Sequence, residues 1–258
     1  MGKFDYIKTW TDEAVGILQL HRPEVLNALN RKMVDEIVSC LESFDDDETI
    51  KVILITGNER AFAAGADIEE MAHDDPIRLE KLNQFAVWDR IGLIKKPMIA
   101  AVSGLAFGGG FELVLNCDLI VAGETTRFAF PEVKLGVMPG AGGTQRLTKA
   151  MGKYRALEWL WLGEPMDVQE AHHFGIVNRV VADELVLEEA LKLAKGLTRK
   201  PPLSLRLIKE AVNKAVDAPI AEGMQLERKN FYLLFSSKDQ REGMRAFMEK
   251  RKPNFTGE

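Results

Sequence analysis

Apolar positions follow two periods along the first half of the chain. Short runs rich in β-branched residues at 17–20 and 52–55, and a third run at 98–102, have the length and continuity of buried strands. Between the first two, Met33, Val34, Ile37, Leu41 and Phe44 recur at three-to-four spacing. This predicts one apolar helix face, capped by Asn30 and ended by the acidic stretch 45–48. A second helix is expected over 78–95, stopping before Pro97, and a third after the glycine-rich turn that follows residue 102. Strand alternating with helix through residue 123 predicts an α/β layer with right-handed crossovers.

Beyond about residue 180 the strand pattern vanishes. Four helical patterns succeed one another at 185–197, 203–216, 220–235 and 240–250. Terminal amphipathic helices without strands point to contacts with a neighbouring subunit. No period of 20 to 50 residues repeats in the sequence.

Composition narrows the class without changing this picture. The chain has 258 residues, 46% hydrophobic and 28% charged, enough for one large globular core. Its 34 Lys and Arg against 39 Asp and Glu give a net charge of −5, which argues against a surface built to neutralise nucleic acid. Cys40 and Cys117 lie in apolar runs and are expected as small buried thiols. No apolar run is long enough for a membrane span, and the first twenty residues lack a signal pattern, so a reducing cytoplasm is the expected compartment.

The candidate chemistry begins at residues 103–118, where Gly108, Gly109 and Gly110 separate a strand from a helix. Without side chains there, a ligand can reach peptide N–H groups at a helix N-terminus, where developing negative charge is favoured. A tight packing turn is the alternative, and neither a Rossmann nor a P-loop signature is present. Glu112 is a lone carboxylate in the apolar run 111–115, and burial there should raise its pKa. Glu132 is a second, between apolar neighbours after Pro131. Two such groups near one amide cradle make an acid–base pair, while two separately partnered glutamates would explain the same pattern. The later glycine-rich turn, which includes Gly143, is expected mainly to support Glu132. Gly109 is expected to need backbone freedom as well as a bare α-carbon.

The four histidines suggest no metal. His172 and His173 are adjacent and point apart on a helix, and His21 and His73 lack partners at ligand spacing. Ser103 lies outside any G-x-S-x-G setting and is expected in a loop.

Five stretches together resemble the enoyl-CoA hydratase branch of the crotonase family: NALN (27–30), FAAGADIEEM (62–71), GLAFGGGFEL (104–113), FPEVKLGVMPGAGGTQRL (130–147) and REGMRAFMEKRKPNF (241–255). The resemblance spans essentially the whole chain. It implies an α/β spiral of repeated ββα units over 1–200 and a helical oligomerisation region over 201–258, forming a homotrimer or a homohexamer of two trimers. It further implies an acyl-CoA substrate, water added to a 2,3 double bond by Glu112 and Glu132, and an oxyanion hole from the N–H groups of Ala66 and Gly109. By the same resemblance Ala63, Ala64, Asp67 and Ile68 line the coenzyme A site. No separate cofactor is implied, coenzyme A being part of the substrate. Arg22 and Lys252 are candidate phosphate partners, with solvated surface charge the expected state of each. An enoyl-CoA isomerase, or another enolate-stabilising enzyme such as a decarboxylase, is the rival on the same scaffold, disfavoured because both glutamates are retained. An RNA-binding relative is the rival from another class, disfavoured by the acidic charge.

Overall fold

The computed structural model describes residues 4–258. The chain opens with an antiparallel hairpin, β1 (Ile7–Asp12) and β2 (Val15–Leu20), followed by α1 (Arg31–Asp46). Next come β3 (Val52–Thr56), β4 (Ala61–Ala63) and three short helices, α2 (Ile68–Met71), α3 (Pro76–Leu82) and α4 (Gln84–Asp89). Two further strand pairs follow. The first is β5 (Met98–Val102) with β6 (Leu105–Phe107), leading into α5 (Gly109–Asn116). The second is β7 (Leu119–Gly123) with β8 (Arg127–Ala129), leading to α6 (Gly143–Met151) and α7 (Lys153–Leu162). After β9 (Met166–Asp167), α8 (Val168–His173) and β10 (Arg179–Val181), only helices remain: α9 (Val186–Thr198), α10 (Pro202–Asp217), α11 (Ile220–Leu234) and α12 (Lys238–Met248).

The strands sort into two sheets, ordered β1-β2-β3-β5-β7-β10 and β4-β6-β8-β9. The first is parallel from β2 onward, the second parallel except at β9. Each turn of the chain lays one strand in each sheet, β3 with β4, β5 with β6, β7 with β8, so the fold is a spiral. The long insertion between β4 and β5 makes the turns unequal, which is why no fixed period is visible in the sequence.

The inner strands of the larger sheet, β3 and β5 above all, are buried on both faces, as parallel strands between helices must be. Ile53, Ile55, Ala100 and Val102 share the main core with Met33, Ile37, Leu41 and Phe44 of α1. Their neighbours Val52, Leu54, Ile99 and Ala101 face α9 through Val186, Ala190 and Ala194. Asn30 caps α1 as expected, its Oδ1 accepting from the Met33 N–H at 2.8 Å.

The helix expected over 78–95 is broken. Asn83 adopts φ 44° and ψ 42°, ending α3 and starting α4, and a 3-10 turn over Arg90–Leu93 finishes the segment. Asn tolerates this left-handed conformation, so an unbroken apolar pattern concealed the corner. β1 and the whole smaller sheet also escaped the pattern. β1 is a polar edge strand, and the smaller sheet's strands are two or three residues long. No helix among the described residues is long and apolar enough to cross a membrane.

Candidate active site

The strands β4, β6 and β8 are parallel neighbours, so the segments leaving their carboxyl ends lie side by side: 64–67, 108 onward, and 130–135. This is the end at which parallel sheets present loops to ligands.

The first segment is held by a buried asparagine. Asn27 is fully buried at φ 58°. Its Nδ2 donates to the carbonyls of Ala61 and Phe62 at 3.0 Å each, and its Oδ1 accepts from the Arg22 N–H at 2.8 Å. That fixes the stretch before α1 against β4. The Leu29 N–H then donates to Gly65 at 2.7 Å, and the Asp67 N–H donates to Leu29 at 2.9 Å. In such a parallel bridge the intervening residue, Ala66, turns its own N–H to the opposite side.

Gly109 lies on that opposite side. A β-carbon added to Gly109 would stand 3.7 Å from the Ala66 nitrogen, with only ordinary contacts around it. As the first residue of α5, Gly109 has an N–H with no partner inside the helix. The three glycines differ in their tasks. Gly108 carries the positive φ, 48°, and Gly110 packs so closely on β4 that a β-carbon would fall 2.3 Å from the Ala63 carbonyl oxygen. The left-handed freedom expected of Gly109 therefore belongs to Gly108, and Gly109 is the partly exposed one of the three.

Both glutamates meet this strip. Glu112 is buried on α5, 4% exposed, and its N–H donates to the Gly108 carbonyl at 2.9 Å. Its Oε1 accepts from the Ala141 and Gly143 N–H groups, each at 2.8 Å. Burial raises its pKa, opposed by those two donors and by the Arg146 guanidinium. Glu132 is the second residue of a 3-10 turn, Pro131–Leu135, and comes from the other side, its Oε1 standing 3.0 Å from where a Gly108 β-carbon would be. Its Oε2 is buried with no hydrogen-bond partner among the described residues. Burial pushes its pKa up to about 7, reinforced by the Glu112 charge. One carboxyl group thus accepts from two loop N–H groups, while the other has only its own backbone N–H opposing its burial and keeps Oε2 without a partner.

The turn 139–143 serves Glu112, a correction to the expectation that it mainly supports Glu132. It reaches Glu112 because α6 packs on α5, a contact no sequence spacing reveals. Arg22 also departs from expectation. Its side chain is only 12% exposed, bonded to Asp67 at 3.1 Å and to the Ala28 carbonyl at 2.5 Å. Asp67 in turn caps α2. Ala63 is fully buried, Ala64 partly so, and Ile68 half exposed. Lys252 is exposed, and Ser103 lies in the link between β5 and β6. Asn27 had no individual signal in the sequence beyond its place in the NALN stretch.

Fold and site define a class: a two-sheet spiral with one buried and one part-buried carboxyl group beside peptide N–H groups at its strand ends. The chain belongs to the enoyl-CoA hydratase/isomerase family, whose model matches residues 11–258. It is 65% identical to an enoyl-CoA hydratase subunit I from Geobacillus kaustophilus, the two chains superposing with a TM-score of 0.98 over 100% of each. It is 44% identical to a probable enoyl-CoA hydratase of Mycobacterium tuberculosis over 98% of both chains. The mitochondrial enoyl-CoA hydratase of Pongo abelii is likewise 44% identical, over 98% of this chain and 88% of that one.

Proposed function

We propose that this chain is an enoyl-CoA hydratase, adding water syn across the 2,3 double bond of a trans-2-enoyl-CoA to give a 3-hydroxyacyl-CoA. One observation carries the reading: Glu112 and Glu132 flank Gly108, one supplied with charge-stabilising donors and the other left to hold its proton. The N–H groups of Ala66 and Gly109 polarise the thioester carbonyl and make C3 electrophilic. Preorganised donors of this kind supply about 3 kcal/mol each. Glu112, ionised, takes a proton from water as its oxygen bonds to C3, and Glu132, protonated, gives its proton to C2. The cycle leaves Glu112 protonated and Glu132 ionised, so a proton passes from the first to the second, through solvent, before the next turnover.

Coenzyme A runs along residues 63–68. Asp67 is engaged by Arg22, so its carboxylate serves the loop's shape, and half-exposed Ile68 offers the apolar surface. The acyl tail points toward α2–α4. We assign the activity to the cytoplasm, where the free thiols Cys40 and Cys117 stay reduced.

The test is loss of the conjugated-thioester absorbance of crotonyl-CoA, with the hydroxyacyl product identified by mass. Wild-type protein turns over, and folded Glu112→Gln and Glu132→Gln each lose a factor on the order of 10² or more in kcat. Failure of wild type to hydrate trans-2-enoyl-CoA of any chain length would sink the reading, as would double-bond migration without hydration.

A further inference from the structure

Glu112 stands at both ends of a closed circuit of hydrogen bonds. Its main-chain carbonyl accepts from Asn116 Nδ2 one helical turn on, at 2.9 Å. Asn116 Oδ1 accepts from Arg146 Nη2 at 2.7 Å. Arg146 Nη1 donates to the Ala141 carbonyl at 3.2 Å. The Ala141 N–H then returns to the Glu112 carboxylate at 2.8 Å. Trp88, buried on α4, closes on the same carbonyl from elsewhere, its Nε1 donating at 3.1 Å.

The peptide joining Ala141 to Gly142 lies between the two peptides whose N–H groups hold Glu112 Oε1. Fixing its carbonyl with two donors therefore fixes the orientation of both N–H groups. Room for this comes from Gly142, at φ 103°, where a β-carbon would fall 1.9 Å from Arg146 Nη1. Both N–H donors take Oε1, and no hydrogen bond among the described residues engages Oε2. The circuit thus holds the carboxylate by one oxygen and leaves the other toward the site.

We infer that Arg146, Asn116 and Trp88 are positioning residues for Glu112, acting through the Ala141 carbonyl to aim its carboxylate. The inference rests on the hydratase reading. The charged groups around the circuit are Glu112 on α5, Glu132 on the neighbouring 3-10 turn, Arg146 on α6, Asp89 on α4 and Asp217 at the end of α10. β4 and β6, which also pack on α5, contain only Ala, Phe and Leu. Arg146 is thus the one cation that faces Glu112 among these groups.

Kinetics on crotonyl-CoA across pH test this, with folding followed by circular dichroism. Arg146→Met should lower kcat about tenfold or more while KM stays within about threefold, because the aim of the base is lost and substrate contacts are not. The acidic limb of its kcat/KM profile should move to higher pH. Arg146→Lys restores the charge without the planar fork, so the limb returns toward wild type while kcat stays low. Trp88→Phe keeps the ring and removes the donor, and should lower kcat several-fold. Combined with Arg146→Met it should cost less than the product of the two losses, since both act on one carbonyl. A folded Arg146→Met enzyme with kcat within twofold of wild type and an unmoved limb overturns the inference, and so do losses that multiply. If Arg146→Met does not fold, Trp88→Phe and Asn116→Ala decide on the same criteria. Infrared titration of the Glu112 carboxyl, by difference from Glu112→Gln, reads the circuit without substrate. An unshifted titration in Arg146→Met overturns the inference even if the hydratase reading has failed on its own assay.

Discussion

Glu132 keeps its proton at a cost that can be measured. Burial holds its carboxyl at about 7 in the folded chain, against 4.5 for a free glutamate. Between those values the folded state binds a proton that the unfolded state has released. Stability from this group is therefore fully present below about 4.5 and is lost as pH rises through 7. Glu132→Gln removes the titration. Its melting temperature should exceed wild type at pH 8 and show no such gain at pH 4, the gain in unfolding free energy being about 1 kcal/mol once solvent screening of the part-exposed carboxyl is allowed for. Equal displacement at both pH values would mean the side chain is not held in this state. The glycines offer a second separation at this scale. Gly109→Val fills the space before the Ala66 N–H without forcing backbone atoms together, so activity should collapse with little change in melting temperature. Gly110→Ala, driven against the Ala63 carbonyl, should chiefly lose stability, by roughly 1–3 kcal/mol. Stability lost at Gly109 with turnover per folded molecule retained would make it a packing residue instead. Substitution at Gly143 should cost both stability and turnover, because a β-carbon there meets Phe130 at 2.7 Å and its N–H holds Glu112.

Between elements, the decisive join is the stretch from Asn27 to Leu29 against β4 and Ala66. Asn27 makes three side-chain hydrogen bonds while holding a left-handed backbone, and alanine can do neither. Asn27→Ala should lower unfolding free energy by roughly 2–4 kcal/mol in urea titrations. Because Leu29 sets the direction of the Ala66 N–H, kcat should fall as well. Asn30→Ala, which removes only the cap of α1, should cost about 1 kcal/mol and leave kcat unchanged. A folded Asn27→Ala enzyme with normal kcat would uncouple this join from the site. The corner at Asn83 belongs to the same scale: it turns α4 so that Trp88 reaches the loop holding Glu112.

For the whole molecule, the C-terminal helices carry more apolar surface than one chain covers. α10 buries only Leu207 and α11 buries no residue, while Phe231, Tyr232, Leu233 and Phe235 stand exposed beside partly covered Leu234. Phe247 and Met248 at the end of α12 are 85% and 75% exposed. Isolated apolar residues on a surface are ordinary, whereas a contiguous face of this kind is rarely left in water. We propose a homotrimer, alone or paired into a hexamer, as the state that covers it. Light scattering at micromolar concentration should return a mass of three or six chains, and a monomeric mass would contradict the proposal.

The sequence alone determined the elements whose cause is local. The strands at 17–20, 52–55 and 98–102, the face and cap of α1, and the C-terminal helices within a few residues all follow from periodicity and capping. The glycine strip and its two glutamates stood out because carboxylates interrupted apolar runs. Tertiary structure alone decided what depends on contacts between distant segments. The left-handed corner at Asn83 follows an unbroken apolar pattern. The smaller sheet has strands too short to show a period, and β4 exists because β6 and Asn27 satisfy its backbone. Arg22 looks like any surface arginine until Asp67 is folded beside it. Which loop holds Glu112 depends on α6 packing against α5, and burial raises both glutamates, opposed at Glu112 by two loop N–H groups and Arg146 and at Glu132 only by its own backbone N–H. A residue's type and spacing set what it can do; solvent exclusion and partners arriving from far along the chain set what it does.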